Sequence, residues 1–176
     1  MAITIDATVG GASANSFVTL AEAQTYMDGR LNGSSWDGAT TDDQNRALVE
    51  ATRWLSARTW QGERVNSTQA LSWPRFWAPN PDLMFGGNWF FDSTIIPQRI
   101  KDATAELAFQ FLKLGTIDAA AIDPNQKIIE QTVGPITTRY SDPYARPQGL
   151  GQFPSVLRYI APLLFGDANT SPVIRG

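Results

Sequence analysis

Cysteine and histidine are both absent from this chain of 176 residues. That excludes disulfide scaffolds, thiol nucleophiles, Cys/His zinc sites, Ser-His-Asp triads and histidine general bases. Lysine is scarce, with 3 against 11 arginines, and no window gathers them into a basic block. Clustered Lys and Arg drive nonspecific nucleic-acid binding by neutralising phosphates. A formal charge of −3 without such a cluster argues against that kind of binder. Long apolar runs are missing too. Charges or prolines interrupt every stretch well short of the ~20 residues a membrane helix needs, so no membrane partner is expected. Nor does a basic segment lead into an apolar run at the start, and no secretory leader is expected.

Apolar residues make up 43% of the chain and charged residues 18%. That is enough apolar material for one globular unit with its own core. The carboxylates do not suggest catalysis. Asp42 and Asp43 suit the start of a helix, where the dipole favours them. Asp82, Asp92, Asp118 and Asp123 are scattered through loop-like sequence, with no frame to hold a catalytic pair at a set separation. Gly10-Gly11 and Gly86-Gly87 read as turn glycines, since neither belongs to a phosphate-binding or dinucleotide motif. No enzyme activity, cofactor or metal is expected.

The pattern predicts a mainly α fold: a small bundle of about four helices with a β-hairpin or extended arm. Residues 1–18, with Ile3, Ile5 and Val9, read as an extended N-terminal arm. Residues 19–165 read as the helical domain and 166–176 as a C-terminal tail. Thr19-Leu20-Ala21-Glu22 is a capping box that opens a helix to about Leu31, closed by Asn32-Gly33. A second helix starts at Thr41, with Gln44 completing its box. Leu48, Ala51, Trp54, Leu55 and Arg58 follow at helical spacing, and Gln61-Gly62 ends it after Trp60. Pro97 and Gly115 bound a third helix. Ile100, Ala103, Leu107, Phe111 and Leu114 form its stripe, and Ala108, Phe109 and Leu112 widen it, so it is expected at the centre. Two β-branched runs about Gly134-Pro135 suggest a hairpin or ribbon over 128–140. A last helix runs from Pro154 to Phe165, bent or truncated by Pro162.

Residues 62–96 stand apart, with an aromatic loop expected at 76–95. Pro74, Pro79, Pro81, Gly86 and Gly87 break regular structure, yet Trp73, Phe76, Trp77, Phe85, Trp89, Phe90 and Phe91 crowd in. So apolar a loop must pack on its own domain or on a partner. Trp54 and Trp60 are assigned to the core of one helix. Trp77, Phe85, Trp89, Phe90 and Phe91 are candidate interface residues, as are Val173, Ile174 and Arg175 of the tail. Stacking on bases is the weaker reading for the loop, because no Lys or Arg lies between Arg75 and Arg99 and a nucleic-acid groove wants cations among its rings.

Several blocks, in order, resemble a known family. They are Ala14-Asn15-Ser16-Phe17-Val18-Thr19, Ala47-Leu48-Val49-Glu50-Ala51-Thr52-Arg53-Trp54-Leu55, Trp60-Gln61-Gly62, Gln69-Ala70-Leu71-Ser72-Trp73-Pro74-Arg75, Ile96-Pro97 with Ala103 to Ala108, and Val133-Gly134-Pro135-Ile136. Over residues 14–140 the set is similar to tailed-bacteriophage head–tail connector (adaptor, head-completion) proteins. The resemblance implies a virion neck protein, found in the host cytoplasm during assembly. It implies a homo-oligomeric ring, commonly of twelve copies, bound to the portal protein and to the next tail-completion protein. Genomic double-stranded DNA would pass through without specific binding. Some similar sequences carry the label DnaT-like single-stranded-DNA-binding protein, and this is the alternative. A small module that binds sugar or peptide through the aromatic loop is a third reading.

Overall fold

The computed structural model describes residues 3–83, 89–115, 130–133, 136–139 and 149–166. The fold is mainly helical, with four principal helices packed together and a two-strand antiparallel hairpin. In chain order the elements are α1 (Leu20–Asp28), α2 (Ser34–Asp37), α3 (Thr41–Ser56), β1 (Glu63–Arg64), β2 (Arg75–Phe76), α4 (Gln98–Leu114), β3 (Glu130–Val133), β4 (Ile136–Arg139) and α5 (Pro154–Ile160). A 3-10 turn, Ala161–Leu163, follows α5 at Pro162, where the proline was expected to truncate the helix.

Helix α4 is the spine. It begins after Pro97 and ends on Gly115, whose φ of 66° is left-handed and open to glycine at no steric cost. Its stripe, Ile100, Ala103, Leu107 and Phe111, is buried, and so are Ala105, Ala108 and Phe109 on other sides. Helices α1, α2, α3 and α5 all pack on it, as the wide apolar surface of its sequence requires. Phe153, ahead of α5, sits edge-on to both Trp54 of α3 and Phe111 of α4, with centroids 5.7 and 5.8 Å away.

The capping box of α1 forms as expected. Thr19 accepts from the Glu22 N–H, and the Glu22 carboxylate accepts from the Thr19 N–H. The helix stops at Asp28 rather than near Leu31. The one-turn α2 then carries Trp36 into the core, where its Nε1 donates to Gln24 at 2.8 Å. Helix α3 is capped by Thr40, one residue before the expected start, and ends at Ser56. Trp60 therefore does not share a helix with Trp54, although it is buried, and it bridges to Leu164 instead.

The segment 3–18 has no helix or strand, but it lies against the body. Ile3 donates to Asp42 and accepts from Asn45, and Phe17 donates to the Thr52 hydroxyl. Ala14, Ser16, Phe17 and Val18 are buried. Residues 167–176 of the expected tail lie outside the described residues.

Among the described residues one charged side chain is buried in the bundle. Glu106 on α4 is 1% exposed. Arg30 grips it through Nε at 2.7 Å and through a second nitrogen at 2.9 Å. The guanidinium also lies 3.9 Å over the Phe109 ring. Burial pulls the Glu106 carboxyl upward, but hydrogen bonds from Arg30, Gln110 and Ser155 outweigh it and hold it below its ordinary value of 4.5. The stabilisation from this pair is therefore complete above about pH 4.5 and is lost as pH falls through the lower folded value. Arg30→Ala leaves a buried carboxylate unpaired and is expected to cost about 3–5 kcal/mol in urea unfolding at pH 7. The deficit should shrink on acidification, when wild type loses the same contribution. A variant that unfolds with the wild-type midpoint at pH 7 contradicts this.

Candidate nucleic-acid interface

The aromatic segment is built on a close backbone crossing. β1 and β2 pair antiparallel, with Glu63 opposite Phe76 and Arg64 opposite Arg75. Gly62, just before β1, has φ 75°. A Cβ there would stand 2.2 Å from the Phe76 carbonyl oxygen and 2.8 Å from the Ala78 nitrogen. Only glycine allows both the left-handed backbone and this approach. Arg75 then locks the crossing. Its guanidinium donates to the carbonyls of Gln61 at 2.8 Å, Ser72 at 3.1 Å and Trp60 at 3.3 Å, and also to that of Gly62.

The loop between the two strands is held from within. Asn66 accepts from the backbone of Thr68 and Gln69, and the buried Gln69 amide donates to the carbonyls of Leu71 and Pro74. Beyond β2 the chain pairs again. Asn80 donates to the Trp89 carbonyl at 2.8 Å, Phe91 donates to Ala78 at 2.9 Å, and Pro79 bridges Phe90. Beneath lies a buried aromatic row. Trp60 and Trp73 meet edge-on at 5.7 Å, and Trp73 and Phe91 at 6.2 Å.

On this support the outer rings face solvent. Trp77 is 62% exposed, Trp89 60%, Phe90 45% and Phe76 40%. Phe76 and Trp77 tilt against each other with centroids 5.9 Å apart. Trp77 has φ 54°, which is rare for a bulky residue and is held only where the surroundings impose it. Of the candidate residues, Trp77, Trp89 and Phe90 are thus each exposed, while Phe91 turns inward against Trp73. Phe85, Val173, Ile174 and Arg175 lie outside the described residues.

Two arginines sit on elements that flank this segment, Arg64 on β1 and Arg99 on α4. In the β1–β2 ladder exposed Arg64 pairs with Arg75, while exposed Glu63 is the residue opposite Phe76. Burial lowers the Arg75 guanidinium from its ordinary value, repulsion from Arg64 adds to the effect, and Glu63 opposes it. Arg99 from α4 reaches Asp82 at 2.5 Å. That contact holds the Asp82 carboxyl below its usual range. Arg64 has no carboxylate partner among the described residues. Nothing in the local sequence pattern announces this position of Arg64; only the pairing across ten intervening residues sets it beside Arg75.

A protein-family model described as "Putative DnaT-like ssDNA binding protein" matches residues 1–176. The chain belongs to that family. No curated protein and no solved structure matches it. Membership in the DnaT-like family corrects the resemblance to head–tail connectors, together with the ring of twelve, the portal and tail-completion partners, the virion neck and the passive passage of duplex DNA. The blocks that carried that resemblance are helix caps, amphipathic stripes and the Gly62–Arg75 crossing. These encode local structure, which unrelated helical bundles share, and say little about partners. Among the described residues no helix is long and apolar enough to cross a membrane, and no group of three acidic side chains is arranged to hold a metal ion.

Gly62→Ala is expected to lower unfolding free energy by more than about 1 kcal/mol, because the site imposes both positive φ and a steric clash. Urea unfolding followed by tryptophan fluorescence measures it. An unchanged midpoint would mean that the crossing is not built as described.

Proposed function

We propose that the chain binds single-stranded DNA by stacking bases on the exposed rings of Phe76, Trp77, Trp89 and Phe90, with Arg64 of the adjoining strand β1 contacting phosphate. The observation that carries this reading is the exposure of two tryptophans, 62% and 60%, on a support fixed by Gly62 and Arg75. Unfavourable apolar exposure of that size is kept where a ligand covers it. Family membership supports the same partner.

The chemistry selects single strands. Each base offers a π-face that an indole can cover, but in a duplex those faces are already stacked on their neighbours. The surface has no feature that would read one base from another, so the binding is sequence-tolerant. The protein acts by binding and breaks no bond in its ligand.

Charge sets the strength. A chain of −3 does not attract DNA at long range, so the rings supply most of the affinity. With one or two cations at the surface, log Kobs should fall against log salt with a slope of only about −0.7 to −1.4.

Trp77→Ala and Trp89→Ala should each weaken binding of an oligothymidylate by about 5- to 150-fold, the equivalent of about 1–3 kcal/mol per stacked base. Both side chains are exposed, so the unfolding midpoint should stay close to wild type. Fluorescence anisotropy at several salt concentrations checks both the loss and the slope. Wild-type affinity in both variants, or a slope several times steeper, would remove the stacking surface from the reading.

A further inference from the structure

A second surface lies on another part of the bundle, between the end of α1, the start of α2, the second half of α4 and α5. It is an open cleft of about 760 Å³, a size that accepts a nucleotide. Arg30, Lys113 and Arg158 line it together with Tyr26, Phe109 and Tyr159. Three cations face one carboxylate, Glu106, so the lining carries a surplus of two positive charges on a chain that is negative overall.

The hydrogen bonds say which cations are engaged. Arg30 is engaged by both Glu106 oxygens and by the Leu31 carbonyl. The ionised Glu106 can only accept, so the Tyr26 hydroxyl donates to it at 3.1 Å. Tyr159 must then donate to Tyr26 across their 3.2 Å contact. Burial first, then Tyr159 and Glu106, push the Tyr26 hydroxyl far upward and keep it neutral. The relay fixes the Tyr159 ring, and Arg158 stands 4.9 Å over that ring with a nitrogen 3.3 Å from its oxygen. Neither Lys113 nor Arg158 has a carboxylate partner among the described residues. The rim between them carries neutral polar groups, Asn32, Ser34, Ser35 and Ser155.

We infer that this cleft is a binding site for a nucleoside phosphate. Its phosphate monoester lies between Lys113 and Arg158, and its base lies against the Tyr159 and Tyr26 side. A monoester dianion matches the surplus of two charges, and the fixed phenol ring provides a face for the base. The same chemistry can come from a free mononucleotide or from the terminal phosphate of a strand. The cleft does not depend on the tryptophan surface and shares none of its residues.

Calorimetric titration of the full chain with deoxythymidine 5′-monophosphate and with thymidine tests this. The phosphate should raise affinity at least tenfold at pH 7.5, and the advantage should shrink toward pH 5.5 as the monoester loses its second charge near its pKa of about 6. Lys113→Gln with Arg158→Gln changes two exposed side chains and should reduce that advantage to less than threefold, with circular dichroism unchanged. In a second arm, dT10 with a 5′-phosphate is compared with unphosphorylated dT10. An advantage there as well assigns the ligand to a strand end, whereas an advantage confined to the mononucleotide assigns it to the free nucleotide. Both results support the site. Equal affinity for thymidine and its monophosphate in wild type overturns it, as does a phosphate advantage that survives in the double variant. Unphosphorylated dT10 reports on the stacking surface alone. Failure of that strand to bind, with the phosphate advantage intact, would sink the proposed strand binding and leave the cleft standing.

Discussion

The guanidinium of Arg75 is the fastener on which the exposed rings depend. It draws together four backbone carbonyls, three of them from consecutive residues 60–62 and one from Ser72. Those carbonyls would otherwise be left short of partners where the chain crosses itself. Arginine suits the task because its planar fork presents five donors in fixed directions and stays charged even when partly buried. The charge is used for fastening and is not offered to a ligand. Gly62 supplies the other half of the device by letting the backbones approach. Together they turn a stretch rich in proline and glycine into a rigid shelf. A shelf of that kind can hold tryptophans out in water without their collapsing onto the core.

Helix ends were legible in the sequence where one residue does the terminating or capping work. Pro97, Gly115 and the Thr19–Glu22 box are of that kind, and α4 lies where its stripe says it should. Legibility fails where tertiary contact decides. α2 is too short to show a period, and the flanking glycines read as breakers. It exists because Trp36 is anchored in the core and bonded to Gln24. α3 ends before Trp60 because Arg58 turns back to the Trp54 carbonyl and ring, and Trp60 is recruited by Leu164 and Trp73 instead.

The same distinction explains the site. That the aromatic segment must be covered by something followed from its composition. What covers it depended on whether cations stand among the rings, and the linear spacing from Arg75 to Arg99 said none do. Strand pairing sets Arg64 beside Arg75, and Arg99 reaches back to Asp82, and neither placement can be read from linear spacing. Tyr26, Glu106 and Tyr159 converge from three helices, so no local window could reveal that cleft. Overall negative charge remains a sound guide to one property, the weakness of long-range attraction. It does not rule out binding that runs on stacking.

The most direct test of the account is where a strand touches the protein. A single-stranded oligonucleotide bearing 5-iododeoxyuridine can be photo-crosslinked to the full chain and the attached peptides identified by mass spectrometry. The account predicts adducts on Trp77 and Trp89 within residues 76–91, competed away by unlabelled single strand and not by duplex. Adducts confined to the helical faces of α1 and α3, or equal competition by duplex, would contradict it.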